Sequence, residues 1–404
     1  MKFFKNTELA KIYNVSEKSV RNWIQASEES KLDLRLFEHN DKKYIANTAR
    51  NTSIIEELVE RGKKYKNSRS FKTVRPSDKF YKLYSTKQII DIISNLDIYQ
   101  ESPLQYTYFN SGARRWDDYT RHLLKDDASN ALTNTVNLLE INQAYIDELV
   151  KNYTSVNIID LGVGNALPVR QILSHFLESH QLKRYIGIDI SQDLLDIAQQ
   201  NITAWFNGQV KFEGYIRDIV YERFDDLLVS EAFGADAGLT INLVFFLGGT
   251  LANFREPDHA LATIHDSMGK NDLLFFTKKL DNDKSRRFFE LATPGNQAID
   301  LVLALLNIDK SYYTLDQLFD EGKKAREVYA RLEIALAVEF ELGGQKRVVE
   351  FNKGDRILLW RAKHQSAIEI IEQFDKCGLD LLQSSRSIDQ TYILTVSKLQ
   401  TPKP

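Results

Sequence analysis

Ile158-Ile159-Asp160-Leu161-Gly162-Val163-Gly164-Asn165 is the stretch that decides the fold class of this 404-residue chain. An apolar run that ends in an acid and a Gly-x-Gly turn is typical of a buried parallel strand that leads into a helix. The glycines let the backbone turn tightly and approach a ligand without a side chain in the way. The stretch therefore predicts a ligand site at the carboxyl end of this strand.

Segments of strand and helix character alternate on both sides of the glycine turn. Strands are predicted at 156–163, 184–190, 209–219, 239–248 and 273–279, each followed by a helix or a turn. Such alternation predicts a parallel sheet covered by helices on both faces, because parallel strands need long crossover connections. The expected fold class is α/β with a Rossmann-like sheet.

The residues around the turn favour one class of nucleotide over another. The third glycine of the dinucleotide fingerprint is missing, and Leu167 stands in its place. Asp160, just before the first glycine, suits a cationic methionyl amino group and would repel a pyrophosphate. We therefore expect S-adenosylmethionine (SAM) as the ligand.

Three further residue groups follow the next two predicted strands. Asp189 ends a strand 25 residues beyond Gly164, where its carboxylate can accept hydrogen bonds from both ribose hydroxyls. Ser191 can cap the helix that follows. Asp218 and Ile219 end the third strand, where they can contact the adenine. The predicted cofactor-binding residues are Asp160, Gly162, Gly164, Asp189, Ser191, Asp218 and Ile219.

The end of the fourth strand carries a resemblance to a known family. Leu247-Gly248-Gly249-Thr250-Leu251-Ala252-Asn253-Phe254 resembles the Leu-Gly-Gly-Thr-x-Gly-Asn-Phe signature of the histidine-specific, SAM-dependent methyltransferases of ergothioneine biosynthesis. That wider family also contains N-methyltransferases that act on a prenylated tryptophan. The likeness covers about residues 105–400. It implies a class I methyltransferase sheet with an α+β substrate-binding cap.

The resemblance also implies a substrate site. Asn253 would hold the amino and carboxylate end of an amino-acid substrate, and Gly248 would let the substrate approach the backbone. The alternative is that Asn253 caps the helix that begins near Pro257. Two positions depart from the family, since Trp360 and Ala362 stand where histidine-specific members carry a Glu and a Ser that recognise the imidazole.

This departure bears on the substrate. Losing a buried hydrogen-bond partner costs about 1–3 kcal/mol, so the imidazole of histidine would be poorly recognised. Trp360 would instead stack on an aromatic or apolar side chain of another substrate. The alternative for Trp360 is an ordinary place in the core. The expected acceptor is an amino acid or a related small amine.

The N-terminal part differs from the rest in charge. Residues 1–75 hold 17 Lys and Arg against 10 Asp and Glu, a balance of +7, while the remainder has a balance of −10. Residues 7–26 predict two short helices capped by Thr7 and Ser16, followed by a hairpin at 34–46 and a third helix. The pattern resembles a winged helix-turn-helix of MerR-like regulators.

The second of these helices presents polar side chains on its predicted outer face. Basic and amide side chains can bond phosphates and base edges, so this face is a candidate DNA-binding surface. A protein-docking use of the same fold is the alternative. The predicted DNA-binding residues are Lys18, Arg21, Asn22 and Gln25.

The expected domain organisation follows from the changes in charge and in the pattern of strands and helices along the chain. An aromatic-rich stretch at 105–117 is predicted to be a loop. The predicted boundaries are 1–65 for the winged helix-turn-helix, 66–78 for a linker, 79–150 for a helical part of the cap, 151–285 for the SAM-binding core, 286–364 for the substrate-binding cap, and 365–404 for a C-terminal helix and strands that complete the core.

Composition excludes several other classes of protein. Apolar residues make up 43% and charged residues 27%, which is ordinary globular composition, and no apolar run is long enough to span a membrane. The single cysteine, Cys377, excludes a disulfide framework and a multi-cysteine zinc site. We expect no metal, no membrane partner and a cytoplasmic location.

The sequence thus predicts a SAM-dependent N-methyltransferase of small amines with a DNA-binding-type module. Two alternatives remain at this point. One is a nucleic-acid methyltransferase, although the fourth strand lacks the Asn-Pro-Pro-Tyr type of loop and no Pro-Cys nucleophile is present. The other is a transcriptional regulator that senses SAM without catalysis.

Overall fold

The computed structural model of the protein describes residues 3–13, 15–30, 32–39, 42–67, 71–125, 130–228, 238–281 and 299–401, and the side chains of 61–67 are left out of the description. The N-terminal elements are β1 (Phe3–Phe4), α1 (Asn6–Ile12), α2 (Glu17–Glu28), β2 (Leu36–His39), β3 (Lys42–Ala46) and α3 (Ala49–Asn67). The three strands form a small antiparallel sheet in the order β1-β3-β2. These elements surround an apolar cluster of their own.

Of the two helix caps predicted in this part, one is present in the structure and the other is not. Ser16 caps α2, because its hydroxyl accepts a hydrogen bond from the amide of Ser19 at 3.1 Å. The prediction for Thr7 is wrong, since α1 already begins at Asn6 and Thr7 lies inside it. Glu8 instead accepts a hydrogen bond from the amide of Lys5 at the helix start.

The next part of the chain is mainly helical, as predicted. It contains β4 (Lys72–Val74), α4 (Asp78–Leu83), α5 (Thr86–Tyr99), a 3-10 helix at Leu104–Tyr108, α6 (Ser111–Leu123), α7 (Ala131–Ile141) and α8 (Gln143–Val150). The stretch at 105–117 is therefore not a loop, because the 3-10 helix and the first half of α6 occupy it. Its aromatic rings pack against neighbouring rings, and this packing favours ordered helix.

A seven-stranded sheet forms the centre of the molecule. Its elements are β5 (Ser155–Leu161), α9 (Arg170–Glu178), β6 (Leu182–Asp189), α10 (Gln192–Phe206), β7 (Phe212–Ile216), β8 (Thr240–Phe246), α11 (Pro257–Ser267) and β9 (Leu273–Lys279). These five strands pair in parallel with one another, as predicted. Two apolar clusters cover the two faces of the sheet.

The remaining chain builds a second layer and then returns to the sheet. Its elements are α12 (Leu301–Leu305), β10 (Tyr313–Asp320), β11 (Ala325–Leu332), β12 (Leu336–Leu342), β13 (Gln345–Phe351), β14 (Arg356–Lys363), α13 (Ala367–Lys376), β15 (Leu379–Arg386) and β16 (Tyr392–Leu399). The predicted C-terminal helix and strand pair are confirmed. The strand β16 inserts antiparallel between β9 and β15, which gives the sheet order β15-β16-β9-β8-β5-β6-β7.

The second layer, which we call the cap, contains two three-stranded sheets. Their orders are β10-β11-β14 and β13-β12-β4. Residues 66–78 are therefore not all linker: α3 continues to Asn67, and β4 pairs in parallel with β12. Such pairing satisfies backbone groups at the edge of a strand, and it also buries Val74 in the apolar cluster of the cap.

Within the described residues, no helix combines the length and the apolar character needed to cross a membrane.

Candidate active site

The glycine turn after β5 has the conformation that the sequence predicts. Gly162 has φ +66° and Gly164 has φ +54°, both in the left-handed region that side chains disfavour. A Cβ atom on Gly164 would lie 2.3 Å from Cη2 of Trp116. Gly164 therefore cannot carry a side chain unless Trp116 moves, and the indole closes over the turn.

Asp189 ends β6 beside this turn. One carboxylate oxygen accepts a hydrogen bond from the amide of Gly164 at 3.2 Å, and the other accepts from the amide of Ser191 at 3.0 Å. Burial raises the pKa of Asp189 to about 6, although both backbone amides oppose this shift. At neutral pH the carboxylate is thus ionised, buried and held in a fixed position.

Asp160 is the second buried acid of the turn. Its carboxyl accepts a hydrogen bond from the hydroxyl of Tyr185 at 3.1 Å, and it is 4% exposed. Burial raises the pKa of Asp160 well above its usual value, and the nearby Asp189 adds to the shift. A cationic group next to the turn would stabilise its ionised form.

Ser191 has a structural role in this arrangement. Its hydroxyl donates to the backbone oxygen of Tyr108 at 2.7 Å and accepts from the amide of Leu194 at the start of α10. The predicted cap is thus confirmed. The hydroxyl also ties the 3-10 helix at Leu104–Tyr108 to the end of β6.

A cavity opens along the carboxyl ends of these strands. Its space, counted out into the solvent at its open mouth, is about 790 Å³. Its walls combine glycine backbone, carboxylates, aromatic rings and apolar side chains. The lining residues are Leu104, Gln105, Tyr108, Trp116, Gly162, Gly164, Asp189, Ile190, Leu194, Arg217, Asp218, Ile219, Val220, Thr250, Asn253 and Phe254.

Five of the predicted cofactor residues share this cavity, and two do not. Gly162, Gly164, Asp189, Asp218 and Ile219 lie in its wall. Asp160 and Ser191 lie outside the lining, because the former faces Tyr185 and the latter caps a helix. The carboxylate at the end of β6 and the apolar side chains around it fit the hydroxyl-bearing ribose and the flat ring of an adenosyl group.

The third strand contributes a polar corner. The carboxylate of Asp218 accepts from the amide of Val220 at 3.0 Å, and burial raises its pKa. Arg217 also lines the cavity, and its guanidinium donates to Asp226 at 2.9 Å. The Nε of Arg217 is buried and has no partner among the described residues. No sequence motif marks this arginine as a site residue.

The end of β8 supplies the fourth side of the cavity. Gly248 and Gly249 have φ +78° and +85°, and a 3-10 helix follows at Thr250–Asn253. Gly248 itself does not line the cavity, since its amide donates to the hydroxyl of Thr277 at 3.0 Å. Glu256, not Asn253, occupies the N-cap position of α11.

Asn253 is therefore not the helix cap that the alternative required. Its half-buried side chain lines the cavity and forms no hydrogen bond with the described residues. The half-buried carboxamide of Gln105 also lines the cavity and forms no hydrogen bond with the described residues. Two amide side chains thus face the cavity with both donor and acceptor capacity unused.

Three cavity residues, Gln105, Tyr108 and Trp116, come from the stretch 105–117 that the sequence predicts to be a loop. The rings of Tyr108 and Trp116 meet edge to face, with centroids 6.4 Å apart. Asn165, which follows the glycine turn, joins it to α6, because the Asn165 carboxamide donates a hydrogen bond to Asp117 at 2.7 Å. The density of aromatic and amide residues at 105–117 was the only sequence signal for this wall.

Trp360 lies away from the cavity. It belongs to β14, packs against the apolar cluster of the cap, and does not line the cavity described above. The guanidinium of Arg326 stands 5.5 Å from the centre of its ring. The structure therefore does not bring Trp360 together with Asn253 in one lining.

The predicted DNA-binding residues lie together on the outer face of α2. All four of them are exposed, while Val20 and Ile24 are buried on the opposite face. Gln25 donates to Glu29 at 2.9 Å. The exposed residues of this face are Lys18, Arg21, Asn22 and Gln25.

Comparison with known proteins gives three results. Residues 99–292, just under half of the chain, match the family model described as histidine-specific, SAM-dependent methyltransferase. No curated protein matches the sequence. Solved methyltransferase structures resemble the chain, each at low sequence identity.

One is a SAM-dependent methyltransferase from Clostridium acetobutylicum, with 10% identity, 72% of this chain and 100% of that chain covered, and a TM-score of 0.36. Another is the magnesium protoporphyrin IX methyltransferase of Synechocystis with bound S-adenosylhomocysteine, with 9% identity, 74% and 98% covered, and a TM-score of 0.37. A third is the 1,6-didemethyltoxoflavin-N1-methyltransferase of Burkholderia thailandensis, with 12% identity, 81% and 94% covered, and a TM-score of 0.36.

TM-scores this low assign no substrate. The matched family segment contains the glycine turn, Asp189 and Asn253, and therefore most of the cavity wall. The protein is a methyltransferase that uses S-adenosylmethionine as its methyl donor.

Proposed function

We propose that the protein transfers the methyl group to the nitrogen of an amino acid or a related small amine. One observation carries the proposal: the uncommitted carboxamide of Asn253 lines the same cavity as Gly162 and Asp189. A carboxamide can donate to a carboxylate and accept from an amine, which are the two groups common to amino acids. The family model that matches residues 99–292 supports the same acceptor class.

In this proposal, some residues of the cavity bind the methyl donor and others cover the site. Asp189 accepts hydrogen bonds from the ribose hydroxyls, and Asp218 with Ile219 contacts the adenine. Tyr108 and Trp116 cover the site and exclude water. Exclusion of water strengthens the polar interactions in the site and lets the acceptor be held behind the methyl carbon.

S-adenosylmethionine supplies a methyl group that its sulfonium has already activated. The lone pair of the acceptor nitrogen forms the new N–C bond, the electron pair of the C–S bond returns to sulfur, and one N–H proton leaves to water. The amine must therefore be neutral when it attacks. The side-chain oxygen of Asn253 accepts an N–H hydrogen bond and points the lone pair at the methyl carbon.

Asn253→Ala tests this role directly. We expect kcat/KM for the acceptor to fall about 10- to 150-fold, because a hydrogen bond to a charged or reacting group is worth roughly 1.5–3 kcal/mol. Affinity for S-adenosylhomocysteine should stay within about threefold. Asn152→Ala, an exposed amide outside the cavity, is the matched control. An unchanged kcat/KM would remove Asn253 from the site.

We propose further that residues 1–65 form a winged helix-turn-helix that binds DNA. The exposed face of α2, the antiparallel hairpin of β2 and β3, and the positive charge of residues 1–75 support this proposal. Lys18 and Arg21 would contact phosphates, while Asn22 and Gln25 are suited to base edges.

The acceptor class can be tested with methyl-labelled S-adenosylmethionine. The purified chain is incubated with a small-metabolite extract, with double-stranded DNA and with RNA, and label is measured in each. Label in the metabolite fraction is the expected result. Label in DNA or RNA alone would establish a nucleic-acid methyltransferase, and tight binding of the donor without transfer to any fraction would favour a SAM-sensing regulator.

A further inference from the structure

We infer that Asn165 and Asp117 are positioning residues of the methyl-donor site, and that a ring of hydrogen bonds through them holds the indole of Trp116 over the glycine turn. This inference rests on the proposed placement of the donor beside that turn, and it does not depend on the acceptor. Asn165 and Asp117 lie outside the cavity lining, whereas Trp116 and Gly164 belong to it. The two polar residues therefore act through the indole and the turn.

Four residues close the ring, which we call the α6 latch. Asn165 donates from Nδ2 to one carboxylate oxygen of Asp117 at 2.7 Å, and Arg121 donates from Nε to the other at 2.9 Å. Arg121 also donates from Nη2 to Oδ1 of Asn201 at 2.7 Å. Asn201 completes the ring, because its Nδ2 donates to the backbone oxygen of Asn165 at 3.0 Å. The latch therefore ties α6 to the turn after β5 and to α10.

The hydroxyl of Thr120 extends the latch to the backbone of Trp116. It accepts a hydrogen bond from Nδ2 of Asn165 at 3.2 Å and donates one to the backbone oxygen of Trp116 at 2.6 Å. The indole of Trp116 lies so close to Gly164 that a Cβ atom on this glycine would be 2.3 Å from Cη2. The latch thus fixes the part of α6 from which the indole reaches the glycine turn.

Most polar groups of the latch are removed from water. Asn165 is fully buried, and Asn201 and Thr120 are each 8% exposed. The side chain of Asp117 is 15% exposed, and that of Arg121 is 44% exposed. A buried polar network selects one arrangement when all its members are satisfied, and it is costly when one partner is missing. Loss of one buried member should therefore release α6 from the turn.

The latch also contacts the strained part of the glycine turn. Asn165 lies between Gly164 and Ala166, which have φ +54° and +62°. A positive φ is unfavourable for alanine, so the surrounding contacts must maintain it. One such contact is the hydrogen bond from the amide of Leu167 to Oδ1 of Asn165 at 3.2 Å. The amide of Gly164 in turn donates to Asp189, so Asn165 connects the latch to the proposed ribose-binding acid.

The other end of the same segment is joined to the start of α10. Ser191 donates to the backbone oxygen of Tyr108 at 2.7 Å, and Asp193 accepts from the amide of Asn110 at 2.7 Å. Residues 108–121 are therefore held at both ends by the elements that follow β5 and β6. These are the elements that carry the glycine turn and the strand-end acid, so the cover and the donor site form one unit.

A double-mutant cycle between Asp117 and Trp116 tests the inference, with titration calorimetry of the full chain and S-adenosylhomocysteine as the probe. Asp117→Ala breaks the latch but leaves the hydrogen bond between Asn165 and Leu167 in place. We expect it to weaken binding about tenfold, or about 1.4 kcal/mol, when Trp116 is present. In the Trp116→Ala background the same change should alter the affinity by less than about twofold, because no indole remains to be positioned.

Two controls separate positioning from general stability. Asp118→Ala removes the neighbouring exposed acid of α6 and should bind like the wild type. Asn157 is fully buried on β5 and donates to Asn242 at 2.9 Å, so Asn157→Ala should unfold at a lower temperature without a change in affinity. If Asp117→Ala does not fold, Arg121→Met replaces it in the same cycle, since Arg121 is the most exposed member of the latch.

Fluorescence gives a second measurement that a purely structural role would not change. The chain has four tryptophans, so the emission of Trp116 is obtained as the difference between each protein and its Trp116→Phe counterpart. We expect this emission to shift to longer wavelength in Asp117→Ala, because water reaches the released indole. Asp118→Ala and Asn157→Ala should show no shift.

Three results would overturn the inference while leaving the donor site in place. They are an affinity of Asp117→Ala within about twofold of the wild type, equal losses of affinity with and without Trp116, and an unchanged Trp116 emission in Asp117→Ala. Loss of binding in Asp189→Ala shows that the donor site itself stands in these cases. Binding that survives Asp189→Ala would instead contradict the proposed placement of the donor, and the inference with it.

Discussion

The donor and acceptor sides of the site differ in how their polar groups are satisfied. On the donor side, Asp189 already accepts hydrogen bonds from two backbone amides, and Asp218 accepts a third. On the acceptor side, the carboxamides of Asn253 and Gln105 form no hydrogen bonds among the described residues. On the proposed assignment, the carboxylates that bind the methyl donor are fixed before it arrives, while the amide side chains on the acceptor side stay available for hydrogen bonds to the substrate.

The largest expected effect comes from removing the fixed acid of the donor side. Asp189→Ala should weaken S-adenosylhomocysteine binding by more than about 100-fold. The reason is that the carboxylate would no longer accept hydrogen bonds from the two ribose hydroxyls, each worth roughly 1.5–3 kcal/mol. Asp196→Ala, an exposed acid on α10, is the control. Affinity for DNA should not change. An intact affinity for S-adenosylhomocysteine would show that the donor lies elsewhere.

A somewhat smaller effect is expected from the glycine that Trp116 covers. Gly164→Ala should destabilise the fold by about 2–3 kcal/mol, because a Cβ meets the indole in addition to the strain of positive φ. Gly208→Ala separates the two causes, since Gly208 has φ +79° but open space around it. Thermal unfolding of both variants gives the measurement. Equal losses would remove the contact with Trp116 from the explanation.

The affinity for S-adenosylhomocysteine should also depend on pH through Asp189. Ribose hydroxyls favour the ionised form of Asp189, so the bound pKa must fall below the value of about 6 in the free protein. Affinity for S-adenosylhomocysteine should therefore be constant above pH 7 and fall about tenfold between pH 7 and pH 5. Calorimetry over this range measures it, with Asp189→Asn as a variant that should lose this dependence. The same slope in Asp189→Asn would assign the titration to another group.

The smallest expected effect lies outside the comparison and checks that the N-terminal module acts independently. Lys18→Ala combined with Arg21→Ala should lower the slope of log affinity for DNA against log salt concentration by about 2, as expected for two lost phosphate contacts. The affinity for S-adenosylhomocysteine should stay unchanged. The exposed pair Lys346 and Arg347 on β13 provides a control with the same loss of charge. An unchanged slope of affinity against salt would mean that this face of α2 does not meet DNA.

The donor side could be predicted from the sequence because its signals are local. An apolar run, a glycine turn and a strand-end acid lie within a few residues of one another, and parallel strands bring their ends to one edge. Gly162, Asp189 and Asp218 do line one cavity, and their binding of the methyl donor stays a prediction.

The acceptor side and its cover could not be predicted in the same way. Trp116 reaches Gly164 across 48 residues, and Asn165 bonds Asp117 across the same separation. The sequence predicts a loop at 105–117 because the polar residues of this stretch conceal the helical pattern. It predicts a linker where β4 lies, because only the pairing with β12 makes this segment a strand. Contacts between distant segments decide all of these features.

Titration calorimetry of the purified chain with S-adenosylhomocysteine tests the central claim, that the glycine turn and Asp189 hold the methyl donor. We expect one saturable site per chain at pH 7.5 in the wild type, and its loss in Asp189→Ala. Absence of binding to the wild-type chain, or equal binding to both proteins, would contradict the account.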